Sequence, residues 1–465
     1  MAPPPSESAR FIAADVLRRF EPERTYAGTL LNRQLNRTQE RQRATDLVFG
    51  VVRNLQAIDA VITTFSGRRI ERINKKLLAV IRVGVYELLY RPDAPVYSVV
   101  NEAVNTAGRI GGKKQTGFVN AVLRQVDRHI VDRSRALADA DPKRTLVQNA
   151  RSGCEFDVDF LPDPEDSTAA HLSTCFSLPS WLVTDWLSEF GFERTRQICF
   201  GSNRRPSVYA RVNPLKTTGS DLLERLAAAD VQAELVNQGS LGSARPCEMI
   251  KITGPHAVDR LPGFAEGLFT IQDLAASHAV RLLDPQPGWR ILDLCAAPGT
   301  KAMQLAEATQ DSAQIVATDI DTQRLTKVGE NQARSGLKSV TLLPHAQLSD
   351  QPEESFDAVL LDVPCSNTGV LAKRIEVRFR LKRNSLQKLI KTQSALLDTA
   401  AHLVKPGGKI CYSTCSIHRT ENEDQVRAFA QRDDRFELES EELILPSAEG
   451  FDHDGAYAAI LTRRS

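Results

Sequence analysis

The sequence predicts a multidomain chain with an all-α bundle at its N-terminus, a small α+β module in the middle and an α/β domain with a mostly parallel sheet at its C-terminus. Three observations predict this. From Ala9 to about His129 apolar residues recur at spacings of three and four with Arg and Lys between them, the pattern of amphipathic helices. Around 203–216 the pattern becomes alternating and β-branched, as in a strand. From about residue 255, strand-like runs at 290–294, 314–319, 340–343, 356–362 and 408–413 are separated mostly by helical stretches, which implies a sheet covered by helices on both faces.

Taken in order, the first part is placed at 1–140. Its helical segments, such as A-R-F-I-A-A-D-V-L-R-R-F and K-L-L-A-V-I-R-V-G-V-Y-E-L-L-Y, are split by P-D-A-P at 92–95 and G-G-K-K at 111–114. Residues 1–150 hold 25 Lys and Arg against 15 Asp and Glu, an excess of ten positive charges in a chain of net charge +1. The N-terminal end is therefore where contact with a polyanion is expected. Periodicity is then lost, and 141–175, with its acidic F-D-V-D-F-L-P-D-P-E-D-S, reads as a linker. The middle module is placed at 176–254. It opens on a helix in which Trp181, Leu182, Trp186 and Phe190 share a face, the tryptophans belong to the core and Gly191 is a stop. The remainder, 255–465, is the α/β domain.

Composition narrows the class. With 465 residues and 42% hydrophobic content, each part can bury a core. None of the eight cysteines forms a C-x-x-C pair, so neither a metal site nor a disulfide framework is expected. No apolar run approaches the ~20 residues of a membrane span. The opening M-A-P-P-P-S-E-S lacks the basic and apolar segments of a secretory signal, and a reducing cytoplasm is the expected location.

The α/β domain is organised around I-L-D-L-C-A-A-P-G-T-K, Ile291 to Lys301. This is a strand, a tight turn of small residues and a helix start, where a ligand can approach the backbone and meet free N–H groups. It is neither a G-x-G-x-x-G fingerprint nor a phosphate loop. About 20 residues on, Asp319 ends the next strand, where an acid can take the hydroxyls of a ribose. A ribose without a pyrophosphate suggests S-adenosyl-L-methionine. Two more stretches, D-V-P-C-S-N-T-G-V (Asp362 to Val370) and Y-S-T-C-S (Tyr412 to Ser416), fall at strand C-terminal ends, the edge where such sheets place their ligands.

These three motifs, in this order, resemble those of the Sun-family (RsmB-type) RNA cytosine-C5 methyltransferases that act on 16S ribosomal RNA. The N-terminal part is similar to the RNA-binding factor NusB in V-F-G-V-V-R, I-R-V-G-V-Y-E-L-L-Y, V-V-N-E-A-V and G-F-V-N-A-V-L-R. The resemblance implies a NusB-like RNA-docking bundle, an RNA-holding α+β module and a Rossmann-like methyltransferase domain. It implies that Cys415 is the nucleophile that attacks C6 of cytosine, that Cys365 assists release of the RNA, and that Asp362 meets the N3–N4 edge of the base. It assigns Cys295, Ala296, Ala297, Pro298, Gly299, Thr300, Lys301, Asp319, His345 and Asp362 to S-adenosyl-L-methionine. Arg204, Arg205, Arg211 and Lys216 become candidates for phosphate contact, and Gln272 and Asp273 are expected just behind the active site. The implied partner is free or partly assembled 16S RNA, bound by a monomer without a metal. The same chemistry on transfer RNA or 23S RNA, and an RNA-binding assembly factor with a decayed site, are the competing readings.

The sequence departs from the family pattern in three places. Thr300 and Ala302 stand where the family reads G-G-K-T, which predicts a turn that approaches the cofactor less closely. His345 stands where the family has an acid beside the adenine. K-R-I-E-V-R-F-R-L-K (373–382) keeps only part of a segment that faces RNA in relatives.

Overall fold

A computed structural model describes residues 6–236, 247–254 and 256–465. The reading of the first five residues as lacking a signal sequence lies outside them. The chain forms two compact units: residues 1–204 with Leu371–Arg380, and residues 205–370 with 381–465.

The first unit is built around the helix Lys75–Tyr90. It is apolar nearly all round, and Leu77, Leu78, Val80, Ile81, Val85, Leu88 and Leu89 are all buried, as expected of a helix surrounded by others. Close packing of its neighbours depends on a missing side chain: a Cβ at Gly50, on the helix Arg41–Arg53, would lie 2.1 Å from the Tyr86 ring. Glu87 is buried on the central helix and accepts from Arg10 Nε (2.5 Å) and Arg43 Nη2 (3.1 Å). Where the sequence reads as a linker (141–175), the structure has two strands and a helix, and the strands join one from the end of the preceding part in a three-stranded antiparallel sheet. The strands are β1 (Ile130–Ala136), β2 (Thr145–Val147) and β3 (Ser152–Phe156), in the order β1-β3-β2. The helix Pro164–Phe176 follows, started by Pro164 and capped by Asp163, which accepts from the Glu165 N–H. The helical run Ser180–Asn203 is interrupted at Gly191, which takes φ 72°, and Trp186 is in the core.

Leu371–Arg380 completes this unit. Ile375 and Arg378 are buried. The Arg378 guanidinium donates to the carbonyls of Arg53 (2.7 Å), Phe176 (3.2 Å) and Ser202 (3.0 Å) and to Asn203 Oδ1 (2.7 Å). Burial, with the Arg53 charge adding to it, pushes this side chain down to about 9. Glu376 accepts from the Ala27 N–H at 2.9 Å. Within the departing segment 373–382, Glu376 and Arg378 are therefore engaged in packing this unit.

The second unit holds two sheets. The smaller is antiparallel, ordered β5-β6-β4-β7, from β4 (Val208–Val212), β5 (Ala233–Leu235), β6 (Met249–Ile252) and β7 (Phe269–Ile271). The larger contains β8 (Arg290–Asp293), β9 (Gln314–Ala317), β10 (Val340–Leu342), β11 (Phe356–Asp362), β12 (Val404–Thr414), β13 (Phe436–Ile444) and β14 (Ala456–Arg463). Its order is β10-β9-β8-β11-β12-β14-β13. The first five strands are parallel, and β14 pairs antiparallel with both β12 and β13. Along β11, Ala358 and Leu360 enter one apolar cluster, and Val359 and Leu361 enter another. Both faces of the sheet are therefore covered. Strand order reverses between β8 and β11, so their carboxyl ends border the crevice where doubly wound sheets bind ligands.

Among the described residues, no single helix is long and apolar enough to cross a membrane.

Candidate active site

β8 ends on Asp293 and runs into the turn Cys295–Gly299. The turn is fixed from the neighbouring strand: the Ala296 N–H donates to the Thr318 carbonyl (2.9 Å) and the Ala297 N–H to Asp319 Oδ2 (3.1 Å). The other Asp319 oxygen accepts from the Asp321 N–H at 2.9 Å. Arg324 and Asn331, on the helix Thr322–Ser335, bond the carbonyls of Ala297 (2.7 Å) and Pro298 (3.0 Å). The left-handed corner falls at Gly299, φ 99°, where a Cβ would also lie 3.1 Å from the Val328 backbone. Thr300 is already the first residue of the helix Thr300–Ala308, where any L-residue fits, so the expected weakening of the turn at this position does not arise from its backbone. The first N–H groups of that helix lack intrahelical acceptors, as at every helix start.

Three carboxylates and one ammonium gather at the ends of β8, β9 and β11. Lys301 Nζ lies 2.6 Å from Asp362 Oδ2, and Ser413 Oγ donates to Asp362 Oδ1 at 3.2 Å. Burial disfavours the Lys301 ammonium, but Asp362, with help from Asp293 and Cys415, more than reverses this and holds it above the ordinary lysine value. Asp293 is 0% exposed, and the backbone N–H of Cys295 in the following turn is a donor to its carboxyl. Burial first, then the Asp362 charge, push its carboxyl up to about 8, while Lys301 pulls the other way. Asp319 acts on it in the same sense as Asp362.

The two motif cysteines meet. Cys365 follows β11, Cys415 follows β12, and their sulfurs are 3.2 Å apart. The Cys415 thiol donates to Asn367 Oδ1 (3.3 Å), and Asn367 Nδ2 donates to the Cys365 carbonyl (2.8 Å). Asn367 has φ 62°, a left-handed conformation that asparagine tolerates. The hydrogen bond to Cys415, followed by burial, holds the Cys365 thiol well above its usual range. Beside Cys415 is a small cavity of about 40 Å³, bordered by Asp273, Lys301, Ser413, Asp454 and Tyr457.

Other expectations fare differently. His345 opens a short turn after β10 with its Nδ1 unpartnered among the described residues. Asp273 accepts from the Ala275 and Asp454 N–H groups, both at 3.0 Å, at the rim of that cavity. Gln272 instead bonds Arg211 and Gln304. Arg211 cannot reach a phosphate: it is fully buried and paired with Glu307 at 2.7 Å. Lys216 is exposed and caps the carbonyls of Glu266 (2.7 Å) and Arg334 (3.3 Å). The sequence reading did not single out Asn367, Glu421 or the 81%-exposed Ile320 next to Asp319. The run T-D-I was a usable signal for Ile320, because an apolar residue directly after a strand-ending acid has no place in the core. Among the described residues no cluster could hold a metal ion.

Comparison with known proteins gives consistent matches. The family described as "16S rRNA methyltransferase RsmB/F" matches residues 280–459, the NusB family matches 7–128, and the ferredoxin-like domain of RsmF/B-like methyltransferases matches 178–242. The chain is 32% identical, over 95% of its length and 93% of the relative's, to a probable ribosomal RNA small subunit methyltransferase B of Synechocystis. It is 31% identical, over 92% and 91%, to the ribosomal RNA small subunit methyltransferase B of Yersinia pseudotuberculosis. The solved structure of PH0851 superposes with a TM-score of 0.72 at 25% identity, covering 98% of this chain and 99% of that one.

Proposed function

The chain belongs to the RsmB/F family of 16S ribosomal RNA methyltransferases and is an S-adenosylmethionine-dependent RNA methyltransferase; from that premise we propose that it methylates carbon 5 of a cytosine in 16S RNA through a covalent bond between Cys415 and C6. The observation that carries this reading is the pair of sulfurs 3.2 Å apart at the C-terminal ends of β11 and β12, the edge that also holds the Cys295–Lys301 turn.

The residues present fit the cofactor. Asp319 offers acceptors to the ribose hydroxyls, Ile320 offers an exposed apolar face and His345 an unpartnered nitrogen to the adenine, and the Cys295–Lys301 turn offers the methionine end its backbone N–H groups. Asp293, buried at the end of β8 beside the turn, suits a nearby cationic group. When bound, S-adenosyl-L-methionine supplies an electrophilic methyl group on a sulfonium sulfur. Asp319→Ala is expected to weaken cofactor binding more than tenfold in a calorimetric titration, because it also removes acceptors for the Ala297 and Asp321 N–H groups. His345→Ala is expected to change it less.

Carbon 5 of cytosine is a poor nucleophile, and addition of the Cys415 thiolate to C6 moves the C5–C6 electron pair towards C5. Asp362 faces the N3–N4 edge, whose amino group is a donor, and stabilises N3 in its protonated form, the proton being taken from solvent as C6 is attacked and returned to it when the Cys415–C6 bond breaks. Once Cys415 is bonded to C6 it no longer offers Cys365 the hydrogen bond that holds its proton in the free protein; Cys365 gives that proton to solvent and, once C5 carries its methyl group, its thiolate takes the C5 proton. The C5–C6 double bond re-forms and the Cys415–C6 bond breaks, returning the thiolate. A stacked base must leave its helix to reach this site, which free or partly assembled RNA permits at a cost of about a few kcal/mol.

We assign RNA docking to the basic NusB-like part (1–140) and to the module at 176–254, with catalysis in 255–465 and the cytoplasm as the place of action. Bisulfite sequencing of ribosomal RNA from a deletion strain tests the substrate. One cytosine in 16S RNA is expected to lose protection, and a loss confined to transfer RNA or 23S RNA would refute the assignment.

A further inference from the structure

We infer that Glu421 is a positioning residue that holds the Cys365 and Cys415 loops at reacting distance, an inference that rests on the covalent reading above. Glu421 is 0% exposed, and no lysine, arginine or histidine pairs with it among the described residues. Four neutral donors converge on it instead. Oε1 accepts from the Ser366 N–H (2.8 Å) and Gln393 Nε2 (3.1 Å). Oε2 accepts from Ser366 Oγ and from Ser416 Oγ (2.7 Å). Ser366 and Ser416 are the residues directly after the two cysteines, so one carboxylate grips each loop one residue from its sulfur.

Other bonds close the same clamp. Thr368 Oγ1 meets Ser416 Oγ (2.9 Å) and accepts from the Ile417 N–H (3.0 Å), and the Gly369 N–H donates to the Cys415 carbonyl (3.0 Å). The Tyr412 hydroxyl donates to the Glu421 carbonyl at 2.6 Å, and Asn422 bonds Thr414 Oγ1 (2.7 Å) and the Ser416 carbonyl (3.0 Å). A buried carboxylate without a cation is costly, and apolar packing would join two loops at lower cost. A charge at this point does what packing cannot. It aligns hydroxyls that must all donate, and together with the Cys415 bond and burial it keeps the proton on Cys365.

The test compares the full-length wild-type protein with Glu421→Gln, reading conjugate formation with 5-fluorocytosine-substituted 16S transcript plus cofactor, in which the C5 proton that must leave is absent. Glu421→Gln is expected to slow the conjugate at least tenfold, to leave the cofactor dissociation constant within twofold, and to raise iodoacetamide labelling of Cys365 at pH 8 severalfold. Wild-type rates in both conjugation and labelling would overturn the inference. Should Glu421→Gln lose cofactor binding, Ser416→Ala carries the test, since it removes one donor and keeps the charge. A several-fold slowing is expected there, and wild-type conjugation would overturn the inference. Failure of the covalent reading shows itself separately, as no conjugate with wild type or an undiminished one with Cys415→Ala.

Discussion

Cys365→Ala is expected to accumulate a protein–RNA conjugate that survives denaturing electrophoresis, whereas Cys415→Ala is expected to form none and to be inactive. The sulfurs are 3.2 Å apart, so the two variants remove neighbouring atoms and yet should give opposite phenotypes. Without Cys415 no bond to C6 forms. Without Cys365 the bond forms and the methyl is transferred, but proton removal from C5 is impaired and the adduct persists. Loss of turnover should exceed a thousandfold for Cys415→Ala, on the scale of removing an essential nucleophile. A trapped conjugate with Cys415→Ala alone would exchange the roles, and none with either variant would leave the covalent route without support.

Asp293→Asn is expected to raise stability at high pH and to abolish proton release on cofactor binding. In the unfolded chain an aspartate ionises near its ordinary value of about 3.9, whereas in the folded protein burial holds Asp293 protonated up to about 8. Between these values folding takes up a proton, so this group's contribution to stability falls as pH rises through the window and is constant above it. A shift of this size corresponds to at most about 6 kcal/mol. The melting-temperature difference between Asp293→Asn and wild type should therefore widen from pH 5 to pH 8 and then level off. A difference that does not vary with pH would mean that Asp293 is ionised throughout. Titrations with cofactor in two buffers of different ionisation heat should show proton release with wild type and none with Asp293→Asn, because a cationic group beside the carboxyl favours its ionised form.

Four of the five parallel strands of the cofactor domain were legible because each is a short apolar run with a chemically distinctive residue at or just past its end: Asp293, Asp319, Asp362 or Thr414. The hairpin β13–β14 was not, since F-E-L-E-S-E-E-L-I is acidic on one face and A-Y-A-A-I-L-T-R carries no motif. The linker reading failed because β2 and β3 are only three and five residues long and bury individual side chains such as Leu146 and Cys154 rather than a periodic face. Arg211 was misplaced for a related reason: an arginine in an alternating strand looks identical whether it faces a phosphate or Glu307. Motif spacing located the cysteines. It carried no information about Glu421, whose importance lies in which hydroxyls it meets.

The threading of Leu371–Arg380 into the first unit sets an order of events during synthesis. The 166 residues from 205 to 370 must be translated before this strip exists, which at ~5–20 residues per second takes on the order of ten to thirty seconds. Throughout that interval the carbonyls of Arg53, Phe176 and Ser202, and the amide of Asn203, lack the guanidinium that later joins them. The helical unit thus leaves the ribosome unfinished and closes only after the loop bearing Asp362 and Cys365 has been made. Gene fragments that end near residue 204 would encode an incomplete body, and truncated chains that begin after residue 130 would leave Arg378 without the Arg53 carbonyl that it binds.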